Sequence, residues 1–229
     1  MMFWLAIPVT VLFYLLTRKL ARRWHNLLIN PILIPALLVI GLLLATNTDP
    51  SEYEAGVKPL SLLLELTVVA FALPLYQQAA KIRSRLKPIL LCCGLSVVIS
   101  VGTTLLIGGM IHADPSLLAS VSTKSVTTPL AMSVSESMGG IPAIAAGLVI
   151  IVGMMGAIAG FPILRLAGIH HPEAQGLAMG ASAHAIGTGA AAEAGNVQGA
   201  FASLAMVVCG VMTALLAPPL FYLYLWLTG

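Results

Sequence analysis

Apolar runs long enough to cross a bilayer recur along this chain, and basic residues fall between them in short clusters: Arg18, Lys19, Arg22 and Arg23, then Lys81, Arg83, Arg85 and Lys87. A helix needs about 20 mostly apolar residues to span the hydrocarbon core, so the pattern predicts an all-α polytopic membrane protein. Of the 229 residues 59% are hydrophobic and only 8% charged, against about 25% charged in an average soluble domain. The length accommodates roughly eight passes and no separate soluble domain. The net charge of +3 sits in the clusters and not along a surface that could follow a phosphate backbone, which excludes nucleic acid as the expected partner. Cys92, Cys93 and Cys209 lie in apolar runs without CxxC spacing, and a vicinal pair does not form an ordinary disulfide; they read as packing residues. The first run, Met1–Thr17, is followed by its basic residues, the reverse of a signal peptide. It is expected to stay as a span with the N-terminus outside.

Short loops rich in Lys and Arg stay on the cytoplasmic side, which orients the rest. Span one covers about Phe3–Thr17, span two about Pro31–Thr46, span three about Leu60–Ala79 and span four about Pro88–Ile111. The loop 47–59, with Asp49, Glu52 and Glu54 against Lys58, is expected outside. Loops 18–30, 80–88 and 165–172 hold nine of the 11 basic residues and are expected inside, with both termini outside.

The second half reads differently. From Pro115 to Gly140, and again from Pro172 to Asn196, the chain mixes Ser, Thr, Gly and Ala with ionisable residues, and each stretch precedes a cleaner apolar run, Ile141–Leu164 and Val197–Leu227. Sliding the chain so that Ser125 falls on Ser182 also pairs Glu136 with Glu193, Gly153 with Gly210 and Pro162 with Pro219. A repeat of two units, 115–164 and 172–221, follows from this self-similarity. If each polar segment crosses the membrane as a broken helix, the copies are parallel and Arg165, His170 and His171 lie outside. If each dips in and returns, the copies are inverted and those residues lie inside, as the basic-loop rule prefers. Non-helical backbone at membrane depth is tolerated only inside protein or beside a water-filled cavity, and inverted repeats with broken helices mark secondary transporters. The expected fold is about six full transmembrane helices plus two re-entrant or broken helical hairpins in an inverted repeat, an elevator-like architecture. By analogy with other paired-hairpin carriers, residues 1–112 form a scaffold and dimer surface and residues 113–229 the transport region.

In KSVTTPLAM, Lys124 stands with Ser125, Thr127, Thr128 and Pro129 in a segment without another basic residue. A lysine at membrane depth needs an anion or a route to water, and Pro129 breaks the helix there and frees backbone groups. A substrate carboxylate fits this setting; a lysine that simply snorkels from the hairpin mouth is the bland alternative. In GASAHAIGTGAAAEAGN, Ser182, His184, Thr188, Glu193 and Asn196 stand among small residues that let backbones approach. His184 is a hydrogen-bonding or proton-carrying candidate near neutral pH, against an ordinary packed histidine. Glu193 and its counterpart Glu136 are proton-coupling candidates, against carboxylates at helix ends. Gly139 and Gly140, and Gly195 with Asn196, are the expected turns where each hairpin gives way to its span. Ser182 and His184 are two apart and do not face each other on a helix, so no hydrolase is expected; His170, His171, Glu173 and His184 lack ligand spacing for a metal.

KSVTTPLAM, GGIPAIAA and GLAMGASAHAIGTGAAAE, in this order before an apolar C-terminal run, closely resemble the LrgB/CidB family of bacterial inner-membrane proteins. The resemblance spans the chain and is strongest over 120–215. Its motif positions fall here on Lys124, Ser125, Thr127, Thr128, Pro129, Gly139, Gly140, Pro142, Ser182, His184, Gly187 and Thr188; Glu136 is not among them. The family was described as holin/antiholin-like, modulating murein hydrolase export and autolysis, and its relatives include a plastid glycolate/glycerate translocator and bacterial pyruvate facilitators. The resemblance thus implies a multi-pass protein of the bacterial inner (cytoplasmic) membrane that needs no cofactor and is no enzyme. It also implies a small partner membrane protein of the LrgA/CidA type. A carrier for small carboxylates such as glycolate, glycerate or pyruvate, working as a homodimer in the lipid bilayer, uses both the repeat and the lysine–hydroxyl pocket; a holin-like pore requires neither.

Overall fold

The tripeptide Asp-Pro-Ser occurs twice, and in the computed structural model both copies start a helix. The Ser51 amide donates to the Asp49 carboxylate at 2.9 Å, and Ser116 donates to Asp114 at 2.8 Å. In each case an acidic side chain satisfies an otherwise unpaired amide of the first turn, while proline supplies the pre-set first helical residue. The structure describes residues 2–23, 33–70 and 72–228, and among these there is no strand.

Two compact units meet at 70/71. The first contains α1 (Met2–Arg23), α2 (Leu33–Thr46) and α3 (Pro50–Ala70). Helix α1 runs through the first basic cluster, so Arg18 to Arg23 end a helix rather than sit in a loop, and positions 24–30 of the expected loop lie outside the described residues. The acidic stretch expected as a loop over 47–59 is mostly helical, because the Asp49–Pro50 start signal initiates α3 before its apolar part begins. Thr10 of α1 and Tyr53 of α3 share a hydroxyl hydrogen bond of 2.7 Å.

The second unit contains α4 (Ala72–Gln77), α5 (Ala79–Ser84), α6 (Leu86–Met110), α7 (Pro115–Ser122), α8 (Thr128–Ser137), α9 (Pro142–Leu166), α10 (Pro172–Ala194) and α11 (Asn196–Thr228). Four described helices are long and apolar enough to cross a membrane, within α1, α6, α9 and α11, and α2 contributes a shorter apolar one. The third expected span, Leu60–Ala79, is divided between the end of α3 and the short α4.

Helices α6 and α11 run parallel: Cys209 reaches the Cys93 carbonyl at 3.9 Å, and the Tyr224 hydroxyl lies over Gly109 further along. At their far end, the C-terminus of α6 turns directly into α7, with the Ala113 amide bonded to the Gly108 carbonyl. Helix α8 returns to this end, where its last residue, Ser137, accepts a hydrogen bond of 3.2 Å from Tyr222 of α11. The pair α7–α8 is therefore a hairpin with its tip at residues 123–127. Helix α10 also turns back on itself, at Ala183 (φ −124°, ψ 17°) and His184 (φ 40°, ψ −132°). A Cβ on Gly187 would lie 2.6 Å from the Met179 carbonyl oxygen, eight residues earlier, an approach that a straight helix does not allow. Its two arms both lie along the start of α11: a Cβ on Gly176 would meet Gln198 and one on Gly199 would meet Ala192.

The entrance to this second hairpin is tied down by charge. Glu173, only 4% exposed, receives Lys81 at 2.5 Å and Arg85 at 2.6 Å, so the basic segment 81–85 and the start of α10 occupy one end of the unit. The mouth of the α7–α8 hairpin lies at the other. Burial by itself would raise the Glu173 carboxyl, but the Lys81 hydrogen bond and the charges of Arg85, Lys81 and His171 outweigh it and hold the group below its ordinary range.

Glu173 therefore contributes stability above the ordinary carboxylate range and loses it as pH falls through the lowered value. Thermal unfolding in detergent should show an acid limb below about pH 4 that Glu173→Gln flattens, with the variant already less stable at neutral pH by about 1–3 kcal/mol; an unchanged limb would contradict the ion pair. The glycines offer a second test. A Cβ on Gly180 would stand 2.1 Å from the Ala202 carbonyl, whereas one on Gly189 would meet nothing within 4 Å. Gly180→Ala should cost about 1–3 kcal/mol, and Gly189→Ala should be neutral or stabilise by up to about 1 kcal/mol. Equal melting temperatures for the two would refute the close approach of α10 to α11.

Candidate functional site

Breaking a helix inside an apolar protein exposes amide and carbonyl groups that must find partners, and both hairpin tips meet that demand with polar side chains. At the first tip, Ser122 and Thr123 fold their hydroxyls back onto the carbonyls of Leu118 and Ser120 at 2.7 and 3.0 Å. Lys124 extends across to α6, where its ammonium donates to the Ser100 carbonyl at 3.2 Å, to the Ser100 hydroxyl at 3.4 Å and, more closely, to the Thr104 hydroxyl. The Ser125 hydroxyl joins the Ser100 hydroxyl at 3.1 Å. Thr127 occupies the cap position of α8, Thr128 opens it and Pro129 follows at the second helical residue. Lys124 is thus held by neutral oxygens alone: among the described residues no carboxylate forms an ion pair with it.

Ser100 and Thr104 were not singled out in the sequence. Their signal is their spacing, one helical turn apart, in a mostly apolar span that also carries Ser96 and Thr103.

At the second tip, the His184 imidazole lies 2.8 Å from the Val149 carbonyl through Nε2. A carbonyl only accepts, so Nε2 carries a hydrogen, and whenever the ring is neutral Nδ1 presents its lone pair. That Nδ1, and the Thr188 hydroxyl one turn later, are buried and have no hydrogen-bond partner among the described residues. His184 holds a positive φ of 40°, a conformation that costs a non-glycine residue on the order of 1–3 kcal/mol and clusters at binding sites. Helix α9 seats this tip on glycines: a Cβ on Gly153 would lie 2.7 Å from His184 Cε1, and one on Gly156 would lie 2.2 Å from the Ala183 Cβ.

Helix α9 also receives the first tip. Val126 and Ala131 pack with Ala145 and Val149, so the residue whose carbonyl holds His184 also supports the turn after Lys124. Both tips converge on one stretch of α9, although no hydrogen bond joins Lys124 to His184.

The other expected residues are placed as follows. Ser182 is exposed and donates to the Ala178 carbonyl at 2.7 Å. Glu136 and Glu193 are exposed near the ends of α8 and α10, away from the tips. Gly139, with φ 79°, and Gly140 separate α8 from α9, Gly195 separates α10 from α11, and Asn196 opens α11. The Ile141 amide beside the first of these turns is held by Ser120 at 2.7 Å. Among the described residues no group of three or more His, Cys, Asp or Glu is placed to hold a metal ion.

A protein of Haemophilus influenzae is 35% identical over 219 residues, covering 94% of this chain and 93% of that one. YwbG of Bacillus subtilis is 35% identical over 210 residues, 92% of this chain and 93% of its own. The antiholin-like protein LrgB of Bacillus mycoides is 35% identical over 191 residues, 83% of each chain. No solved structure matches. The profile of the LrgB-like family matches residues 10–223, and with its apolar spans this chain belongs to that family of membrane proteins.

Proposed function

We propose that this LrgB-like protein is a carrier of small monocarboxylates of the glycolate, glycerate or pyruvate type, and that the α7–α8 hairpin and the folded α10 are re-entrant halves of an inverted repeat working by alternating access. The observation that carries the reading is the Lys124 ammonium, held among the oxygens of Ser100 and Thr104 without a carboxylate partner among the described residues. A cation in a partly dehydrated setting costs several kcal/mol unless an anion joins it. A substrate carboxylate supplies that anion, with the hydroxyls of Ser125, Thr127 and Thr128 as further donors. The second tip offers the remaining polar atoms, His184 Nδ1 and the Thr188 hydroxyl, for the far end of the substrate or for a proton.

Three features favour two re-entrant hairpins over crossing broken helices. The mouths of the hairpins lie at opposite ends of the unit, the tips share α9, and Lys81 and Arg85 stand at the same end as the 165–172 loop through their contact with Glu173. In this reading the protein is a multi-pass component of the bacterial inner membrane and works without a catalytic step. The region from 113 onward moves against a scaffold formed by 1–112, which also carries a homodimer contact. Membrane-buried polar groups on broken helices that meet near the bilayer centre are the arrangement of secondary carriers.

The name of the Bacillus relative, antiholin-like protein LrgB, favours a second reading, in which the chain modulates murein hydrolase export and autolysis together with a small LrgA-type membrane protein. The two readings differ in what they ask of Lys124. Removing its charge should cost about 2–3 kcal/mol of binding, by the scale for hydrogen bonds to charged groups, or about 30- to 150-fold in apparent affinity. Lys124→Gln should therefore insert normally and take up glycolate, glycerate or pyruvate with a raised KM, and Lys124→Arg, with its wider planar fork, should recover only part of the loss. Unchanged KM in Lys124→Gln would return this lysine to a snorkelling role.

A further inference from the structure

The two hairpin mouths are tied unequally. At the first, the ties are neutral hydrogen bonds: one of 3.2 Å from Tyr222, itself 52% exposed, to the Ser137 carbonyl at the end of α8, and one of 2.7 Å from the Ile141 amide to the Ser120 hydroxyl of α7. At the second, a carboxylate only 4% exposed accepts a hydrogen bond from Arg85 at 2.6 Å and forms an ion pair with Lys81 at 2.5 Å. Bonds between ionised partners are shorter and roughly twice as strong as neutral ones, and Glu173 cannot leave its partners without stranding a buried charge. The carboxylate belongs to the second residue of α10, on the arm that leads to the His184 tip. Lys81 lies in α5 and Arg85 at the start of α6, so the bonds fasten the moving end of a hairpin to a neighbouring corner of the fold. None of these three residues belongs to the substrate site at the two tips.

We propose that Lys81, Glu173 and Arg85 form an ionic latch that keeps the second hairpin shut at the basic end of the unit, and that its release opens the path to the His184 tip. The proposal rests on the hairpin reading above and assigns the gate within it. Arg165, Arg83 and Lys87 lie nearby in sequence and make this end electropositive; an incoming carboxylate is attracted there and competes with Glu173 for Lys81 and Arg85. The ties at the other mouth, neutral hydrogen bonds without an ion pair, yield more easily, and this predicts that the protein at rest is accessible to solute mainly from the end opposite the latch.

The test uses the full chain in sealed vesicles of defined orientation. A single cysteine is placed at Ser182, beside the tip, with Cys92→Ser, Cys93→Ala and Cys209→Ala, and a membrane-impermeant sulfonated maleimide is added from the basic side. Slow labelling is expected with the latch intact, and labelling at least about tenfold faster in Glu173→Gln and in Lys81→Met/Arg85→Met, whose substitutions lie on half-exposed side chains that tolerate change. The swap Glu173→Lys/Arg85→Glu should restore slow labelling, which a role in folding alone would not predict. Equal rates in all four proteins, with labelling from the basic side, overturn the latch and leave the hairpin reading standing. Reaction of the Ser182 cysteine only from the opposite side in the latch variants as well as in the intact protein overturns both. A cysteine at position 84 labelled in parallel reports whether each variant is folded and correctly oriented.

Discussion

No water is available within a bilayer to satisfy a backbone amide or carbonyl, and this constraint governs the whole second unit. A chain can leave the helical path there only where neighbouring protein takes over the freed groups. Both breaks comply. The 123–127 turn is surrounded by hydroxyls and buttressed by α6, while the Ala183–His184 turn is pressed onto the glycines of α9 and held by the Val149 carbonyl. Small residues do the structural part: any larger side chain at Gly153, Gly156, Gly180 or Gly187 collides with backbone or with the opposing tip. The chemical possibilities follow from the same packing, because close approach of backbones leaves a few polar side chains in a space where charge and hydrogen bonds count for more than in water.

Lys124 and Glu173 show how differently two ionisable residues can be treated in one fold. Glu173 is buried and fully compensated by two cations, as expected of a group that fixes geometry. Lys124 is partly buried and compensated by dipoles only, as expected of a group waiting for an anion. The carrier reading depends on that contrast more than on any likeness between proteins, since the relatives' names speak of antiholin-like proteins and not of substrates.

Much of the second half could be read from residue types. Ser, Thr and Gly interrupting apolar runs announced breaks, and Pro129 located the first within a few residues of the observed turn. The second break has no proline or glycine at Ala183–His184; it is imposed by contacts with α9 that lie more than 25 residues away in the chain, and no local pattern carries such information. Ser100 and Thr104 were missed for a related reason: a hydroxyl in a transmembrane helix is ordinarily satisfied by the carbonyl one turn back, as Thr104 is by Ser100 at 2.8 Å, and nothing local shows that a lysine also uses it. Glu173 stands near the start of the second polar segment without metal-ligand spacing, and its role emerges only from the approach of α5 to α10. The acidic stretch after Thr46 reads as a loop by composition, which hides the Asp49–Pro50 helix start.

The central claim is that Lys124 and the two tips bind and carry a small carboxylate. It is tested most directly by reconstituting the purified chain into liposomes and measuring uptake of radiolabelled glycolate, glycerate and pyruvate alongside release of an entrapped dye. The account predicts saturable uptake of at least one of these acids, competed by the others and accompanied by no dye release. Release of dyes irrespective of charge, with no saturable uptake of any acid, would contradict it.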